Sequence, residues 1–240
     1  MKMQSVRPYA FLTMSVVLCA CGAQDPNSYE EESVGLAENA ISGSTNPGPT
    51  EVVTCQDNTY GGYCALMTPG FWAATTGVAN DSLTSFKVGS GVRATFCSDS
   101  NFGGTCGQYY AGARVSFLSN GTAPPNDSAS SVRIVLDTTP DCRVSSVSPP
   151  TGWVFLYRDS NFAGDCVALQ AGDYNGAGNI GLANDTLSSL KIGPGLSAVT
   201  VYNNTGFTGV LVTYSTGGAL TLVAGMSGST QDRMSAISIH

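Results

Sequence analysis

The chain has 240 residues, a formal net charge of −7 and only 11% charged residues, which is less than half the usual share. This acidic balance excludes the basic surface with which proteins bind DNA or RNA. The one histidine is His240, the last residue, which argues against Ser-His-Asp and Cys-His catalysis and against histidine zinc sites. The metal chemistry that remains open uses oxygen ligands, which means calcium or magnesium.

The first 21 residues have the pattern of an export signal. Lys2 and Arg7 precede an uncharged apolar stretch from residue 9 to residue 23, which is shorter than the ~20 residues that span a bilayer. The segment from Leu18 to Cys21 resembles a bacterial lipobox, and this resemblance implies that Cys21 is lipidated and becomes the first mature residue. We therefore expect a lipid-anchored protein of the outer membrane or cell surface. Plain secretion is the alternative, although Leu18 is large for a signal that is cut after Ala20.

Residues 22–51 have the composition of a tether. They contain six acidic residues and three prolines but no Lys or Arg. Low hydrophobicity and charge of one sign predict an extended, disordered segment. We interpret it as a solvated spacer rather than as an arm that binds a partner.

A fourfold repeat organises the rest of the chain, which alternates short apolar runs with Asn, Asp, Gly and Pro, as β-proteins do. The copies begin at residues 55, 97, 157 and 202. In each copy an aromatic residue follows five positions after the first residue, and a glycine follows seven positions after it. These pairs are Tyr60 and Gly62, Phe102 and Gly104, Phe162 and Gly164, and Phe207 and Gly209. The spacing predicts a folded hairpin in which the glycine adopts a backbone conformation that other residues avoid.

A second element follows the start of each copy by 25 to 29 residues. It reads Asn-Asp-Ser-Leu-Thr-Ser at 80–85, Asn-Asp-Ser-Ala-Ser-Ser at 126–131 and Asn-Asp-Thr-Leu-Ser-Ser at 184–189. The fourth version, Gln-Asp-Arg-Met-Ser-Ala at 231–236, is degenerate. We call these segments turns one to four. Each leads into a short run that reads as a strand.

The hairpin and the turn together resemble the calcium-binding βγ-crystallin family. The resemblance implies an all-β fold with two Greek-key β-sandwich domains, each built from two motifs. We accordingly predict domains at 52–136 and 152–240, joined by a linker at 137–151 that contains Pro140, Pro149 and Pro150.

The resemblance also implies calcium sites that are shared between the two motifs of a domain, with each turn facing the hairpin loop of the other motif. The implied groups are Ser82 and Thr84 with Ser98 and Asp99, Ser128 and Ser130 with Gln56 and Asp57, and Thr186 and Ser188 with Asn203 and Asn204. Asp81, Asp127 and Asp185 would either bind the ion or brace the turn. Arg233 in turn four opposes a bound cation, so two sites are expected in the first domain and one in the second. The alternative is that such turns only hydrogen-bond their own backbone.

Six cysteines lie outside the signal, and export favours disulfides. Cys55 and Cys64 occupy the same repeat positions as Cys97 and Cys106, nine residues apart in each case, which predicts two bridges. A third bridge would join the remaining two cysteines, Cys142 and Cys166. The alternative, a metal–thiolate site, is disfavoured because the mature chain has no Cys-x-x-Cys pair.

These observations favour a calcium-binding structural or binding protein without enzymatic activity. One alternative is an inhibitor of secreted proteases, because small metalloproteinase inhibitors share a crystallin-like fold and resemble Cys142 together with residues 154–162. A glycan-binding surface module is another. A glycosidase is disfavoured, since no pair of acidic residues stands out from the aspartates of the turns.

Overall fold

The structure is a computed structural model that describes residues 40–144, 146–226 and 228–240. The predicted signal peptide, Cys21 and residues 22–39 of the predicted tether lie outside the described residues. All described residues belong to one compact unit. Within them, no helix has the length and apolar character needed to cross a membrane.

The described residues form 17 strands, one short α-helix and four single-turn 3-10 helices. The strands of the first half are β1 (Ala40–Ile41), β2 (Val52–Asp57), β3 (Gly61–Met67), β4 (Gly70–Trp72), β5 (Ser85–Val88), β6 (Val92–Cys97), β7 (Cys106–Tyr109), β8 (Arg114–Val115) and β9 (Ser131–Leu136). The second half contains β10 (Trp153–Asp159), β11 (Ala163–Gln170), β12 (Gly172–Asn175), the helix α1 (Ala177–Ile180), β13 (Ser189–Ile192), β14 (Ala198–Asn204), β15 (Thr208–Ser215), β16 (Thr221–Val223) and β17 (Ala236–Ile239).

Four antiparallel sheets arise because the motifs exchange strands in pairs. The sheet orders are β1-β3-β2-β5-β8 and β4-β9-β6-β7 in the first half, and β11-β10-β13-β16 and β12-β17-β14-β15 in the second. In every motif the third strand leaves its own sheet and pairs with the last strand of the neighbouring motif. This is the predicted fold of two Greek-key β-sandwich domains, each with two motifs.

Each sandwich encloses its own apolar core. The first core is built around Phe86, Phe96 and Leu118, which have no exposed surface, and the second around Leu156, Leu187 and Leu190. The fourth residue of every turn also enters a core, because Leu83, Ala129, Leu187 and Met234 are at most 1% exposed. Burial of this apolar side chain in the core therefore holds each turn against its sandwich.

The hairpins have the predicted glycine conformation, with φ values of 67° at Gly62 and 68° at Gly104. A Cβ atom at Gly62 would lie 2.7 Å from Asp57 Oδ2, so the position also lacks room for a side chain. The aromatic residue of each hairpin unexpectedly shares the left-handed region, with φ between 56° and 63° in all four copies. Such strain must be held by contacts elsewhere in the fold.

The last serine of each intact turn supplies one of those contacts. Ser131 Oγ donates to the Asp99 carbonyl at 2.7 Å and accepts from the Phe102 amide at 3.1 Å. The same pair of bonds fixes the first hairpin through Ser85 and the third through Ser189. In the fourth motif, Ala236 has no hydroxyl to make them.

The predicted disordered tether ends earlier than residue 51. Ala40 and Ile41 pair with Ala65 and Cys64 as strand β1. Lys87 Nζ then donates to the carbonyls of Gly43 and Thr45 at 2.7 and 3.0 Å. Residues 40–51 are thus part of the first sandwich, because the edge strand β3 and the buried Lys87 both bind their backbone.

The structure contains disulfides Cys55–Cys64, Cys97–Cys106 and Cys142–Cys166. Among the described residues, the one cluster of three potential His, Cys, Asp or Glu metal ligands consists of Cys97, Cys106 and Asp165. Because two of its members form a disulfide, this cluster offers no thiolates to a metal ion.

A buried ion pair joins the two sandwiches. Arg133 of β9 lies 2.6 Å from Asp165 of β11, and their side chains are 4% and 2% exposed. The Arg133 guanidinium also donates to the Gly181 carbonyl, and Arg143 lies 3.0 Å from the same carboxylate oxygen. One carboxylate oxygen therefore binds two cations, the buried Arg133 and the partly exposed Arg143, whose side chain is 27% exposed.

Candidate metal sites

The strand exchange brings the two turns of each domain together. A turn leaves the third strand, which lies in one sheet, and enters the fourth strand, which lies in the other. It must therefore cross the end of the sandwich, and the turn of the partner motif crosses beside it. This topology explains why turns that lie more than 40 residues apart in sequence contact each other.

The two turns of the first domain bind each other reciprocally. Thr84 Oγ1 donates to Asp127 Oδ1 at 2.9 Å, and Ser130 Oγ donates to Asp81 Oδ1 at 3.0 Å. The fifth residue of each turn thus faces the carboxylate of the second residue in the other turn. This arrangement places a hydroxyl and a carboxylate side by side at two related positions.

Each aspartate is oriented by the asparagine that precedes it. Asn80 Nδ2 donates to Asp81 Oδ2 at 2.8 Å, and Asn126 Nδ2 donates to Asp127 Oδ2 at 2.7 Å. Both aspartates have left-handed backbones, with φ values of 53° and 51°. One carboxylate oxygen is therefore held within the turn, and the other points to the partner turn.

The hydroxyl of the third turn residue is used within the turn. Ser82 Oγ, Ser128 Oγ and Thr186 Oγ1 donate to the carbonyl three residues earlier, at 2.6 to 2.7 Å. These hydroxyls fix the local conformation, as they do in other polar turns. The third residues can therefore contribute to an ion through their backbone carbonyls.

The hairpin loops lie beside the turns of their own motifs, and in the second domain the loop at Arg158–Ser160 also lines a depression with Asp232 of the partner turn. The Thr84 amide donates to the Cys55 carbonyl at 3.1 Å, and the Ser130 amide donates to the Cys97 carbonyl at 2.9 Å. Gln56 Nε2 lies 3.5 Å from Ser82 Oγ. The prediction missed the contact of each turn with its own hairpin, which arises because the fourth strand pairs with the first strand of its own motif and carries the turn back to that hairpin.

The structure thus assembles two groups of oxygen atoms in the first domain. One contains the Gln56 loop, Ser82, Thr84 and Asp127. The other contains the Ser98 loop, Ser128, Ser130 and Asp81. Ser98 Oγ itself donates to Asp99 Oδ1 at 3.1 Å and accepts from the Thr105 amide at 3.0 Å. The Asp57 and Asp99 carbonyls accept from the last serines of turns one and two, so these carbonyls hold the hairpins.

In the second domain the carboxylate that faces turn three comes from the degenerate turn four. Ser188 Oγ donates to Asp232 Oδ1 at 2.7 Å, and Asp232 has a φ of 52° like the other turn aspartates. Sequence reasoning missed Asp232 because the residues around it depart from the motif. Its position, second in the turn, was the signal that could have identified it.

The third group lines a surface depression formed by Arg158, Asp159, Ser160, Asp185, Thr186, Ser188, Gln231 and Asp232. Asn203 and Asn204, predicted here, lie instead at the end of β14 in the fourth hairpin, where Asn204 pairs with Thr208. Asp185 accepts from Asn184 Nδ2 at 2.9 Å, as the other aspartates do from their asparagines. The third group therefore resembles those of the first domain, with Asp232 in the place of Asp127.

At turn four, where a fourth ion would bind, the chain itself supplies a cation. Arg233 Nε donates to Asn203 Oδ1 at 3.2 Å, and Arg233 also donates to the Ser229 carbonyl at 3.1 Å. The guanidinium thus binds one oxygen of the fourth hairpin and one of the segment just before turn four. Its positive charge opposes a divalent ion at this place.

Comparison with known proteins agrees with this motif structure. A point mutant of a βγ-crystallin domain from Clostridium beijerinckii is 32% identical to this chain, and the match covers 36% of this chain and 99% of that chain, with a TM-score of 0.32. At 32% identity over almost the whole of that domain, the similarity extends well beyond the two short elements of the repeat. The chain belongs to the βγ-crystallin family.

Two further βγ-crystallin structures show the same extent of similarity. A domain from Flavobacterium johnsoniae is 27% identical, with 37% of this chain and 98% of that chain covered and a TM-score of 0.33. A structure described under the evolution of the eye lens βγ-crystallin domain fold is 26% identical, with 39% and 92% covered and a TM-score of 0.36. No protein-family model matches the chain, and no curated protein matches it.

Proposed function

We propose that this βγ-crystallin protein binds calcium at three of its four turns and functions as an exported structural or binding protein. The observation that carries the proposal is the reciprocal contact of Thr84 with Asp127 and of Ser130 with Asp81. Carboxylate, hydroxyl and carbonyl oxygens are the ligands that calcium prefers. The residues present therefore fit a calcium ion at each pair.

In each of the three groups one carboxylate, from Asp127, Asp81 or Asp232, accepts a hydrogen bond from the hydroxyl of the facing turn. Because few full negative charges converge on one ion, we expect dissociation constants on the order of micromolar to millimolar. The ion would replace a direct hydroxyl–carboxylate hydrogen bond by contacts with both oxygens. It would thereby connect the two motifs of a domain more strongly than the hydrogen bond does.

Calcium is expected to stabilise the folded chain, because the sites require both motifs and do not exist in the unfolded state. At a calcium concentration a hundred times the dissociation constant, each site contributes about 2.7 kcal/mol to the free energy of unfolding. Thermal unfolding in calcium and in chelator measures this effect. An equal melting temperature in both would show that the turns are closed by their own hydrogen bonds, and magnesium serves as the control ion.

We further propose that the protein is anchored by a lipid on Cys21, on the strength of the lipobox-like segment. Replacement Cys21→Ser is expected to move the exported protein from the membrane fraction to the soluble fraction, because serine has no thiol to carry the lipid. Cys19→Ser is the matched control and should leave the protein in the membrane fraction. Wild-type protein that is wholly soluble after export would contradict the anchor.

A further inference from the structure

The second residue of each hairpin copy carries a polar side chain, and in three copies this side chain hydrogen-bonds within its own motif. The exception is Arg158 of the third copy. Its Nη1 donates at 2.8 Å to the carbonyl oxygen of Gly104, which belongs to the second hairpin, in the first domain. The equivalent bonds of the other copies join Gln56 to Ser82, Ser98 to Thr105 and Asn203 to Arg233.

Arg158 also belongs to the surroundings of the third group of oxygen atoms. It lines the surface depression that contains Ser188 and Asp232, and among the described residues that line this depression it is the one cation. Its Nε lies 3.7 Å from Asp159 Oδ1, but the Asp159 side chain is 56% exposed, so water screens this pair. The third group thus has a positive charge among its lining residues.

The acceptor of the Arg158 hydrogen bond lies beside a different group of oxygen atoms. Gly104 has a left-handed backbone with a φ of 68°, and a Cβ atom at this position would lie 2.1 Å from Ser98 Oγ. The Gly104 backbone therefore packs directly against the Ser98 loop, which is part of the second group of the first domain. One guanidinium thus contacts the hairpin of one group and lines the depression of another.

The buried ion pair holds these two hairpins together. Arg133 lies beside the second hairpin and binds Asp165 of β11, the second strand of the third hairpin. A carboxylate oxygen of Asp165 also lies within 4.8 Å of the sulfur atoms of Cys97 and Cys106, which close the second hairpin. The second and third hairpins therefore pack against each other, and this packing keeps the Gly104 carbonyl within reach of Arg158.

We propose that Arg158 determines the calcium affinity of the third site and makes this site the weakest of the three, an inference that rests on the calcium function proposed above. A positive charge that lines the depression repels a divalent ion bound there. The equivalent residues of the first domain, Gln56 and Ser98, are uncharged and exert no such repulsion. The hydrogen bond to Gly104 directs the Arg158 guanidinium towards the first domain, which limits the repulsion and leaves the site able to bind.

Calcium at the third site should in turn favour the hydrogen bond between Arg158 and Gly104. If this bond keeps positive charge away from the ion, thermodynamic linkage requires that the ion stabilises the bond by the same factor. Calcium should therefore shift the Nε–H NMR signal of Arg158 more in the wild-type chain than in Asp232→Asn, which keeps the sites of the first domain. Equal shifts in the two proteins would contradict the coupling.

Calorimetric titration of the full chain measures the effect on affinity. In the wild type we expect two ions of similar affinity and a third that binds more weakly. Arg158→Gln removes the charge and should lower the dissociation constant of the third site by about three- to tenfold. Arg158→Lys keeps the charge and should not lower it. The matched control is Arg114→Gln, which removes the charge of an exposed arginine on β8 of the first domain and should leave the third site unchanged.

The double variant Arg158→Gln with Asp232→Asn assigns the effect to the third site, because Asp232 supplies the carboxylate of that site. The gain in affinity should disappear in the double variant, and a gain that persists would overturn the proposal. Equal weakening by Arg158→Gln and Arg158→Lys would also overturn it, since the contact with Gly104 and not the charge would then matter. Unchanged affinity in Arg158→Gln would do the same. A wild-type chain that binds no calcium would instead refute the calcium function itself.

Discussion

Replacement Asp165→Asn is expected to reduce the free energy of unfolding by about 3–5 kcal/mol, because it leaves the buried Arg133 guanidinium without its counter-charge. Arg133 is only 4% exposed, and Asp165 is the acidic group in ion-pair contact with it. Burial lowers the pKa of the Arg143 guanidinium, and the Asp165 charge acts against this. Asparagine has nearly the same volume as aspartate, so the lost free energy of unfolding measures the effect of the carboxylate charge.

Thermal or denaturant unfolding of the full chain measures this effect, with a decrease in melting temperature on the order of 10 °C. The control is Asp137→Asn, because Asp137 is 49% exposed and lies 3.6 Å from Arg93. Exposed pairs contribute about 1 kcal/mol or less, so the control should unfold close to wild type. Equal effects of the two variants would mean that the buried pair does not stabilise the contact between the sandwiches.

Replacement Asp232→Asn is expected to remove the one calcium site of the second domain. Asp232 supplies the carboxylate that faces Ser188, and asparagine tolerates its left-handed backbone. Loss of the charge should weaken calcium binding at this site by about tenfold or more, which corresponds to about 1.4 kcal/mol. Calorimetric titration of the variant should therefore show one calcium ion fewer per chain at moderate calcium concentration.

The matched control is Asp185→Asn, which changes the aspartate of the better preserved turn in the same domain. Asp185 lines the same depression as Asp232, but by analogy with Asp81, which accepts from Ser130, its carboxylate is expected to face Ser235 of turn four, beside the Arg233 cation. The number of bound ions should therefore stay at the wild-type value. The opposite result, in which Asp185→Asn loses an ion and Asp232→Asn does not, would contradict this prediction. It would show that the aspartate of the better preserved turn binds calcium, and not the aspartate that contacts Ser188.

Much of the fold is predictable because each motif is specified by local chemistry. The glycine of the hairpin, the asparagine–aspartate pair and the last serine all interact with residues of their own motif. The hairpin, repeated four times, and the intact turn, repeated three times, carried the resemblance that implied the two sandwiches, and the repeated cysteine positions predicted the disulfides Cys55–Cys64 and Cys97–Cys106. Local conformation and repeated spacing were sufficient for the hairpins and for these two disulfides.

The contacts between motifs were harder to predict. Nothing in the local sequence indicates that Gln56 lies beside Ser82 and not beside Ser128, because that depends on which strands pair. Asp232 was missed for the same reason: its role comes from the partner turn. Lys87, Arg133 and Lys191 stand in the middle of strands as ordinary surface cations would, and only the segments that cover them make them buried.

Calorimetric titration of the full chain with calcium tests the central claim most directly. We predict three bound ions per chain, two in the first domain and one in the second, with dissociation constants on the order of micromolar to millimolar. Titration with magnesium should give much weaker binding, because magnesium requires near-ideal octahedral geometry and retains its water. Absence of calcium binding up to millimolar concentrations would contradict the account and would leave the paired turns as purely structural hydrogen-bonded elements.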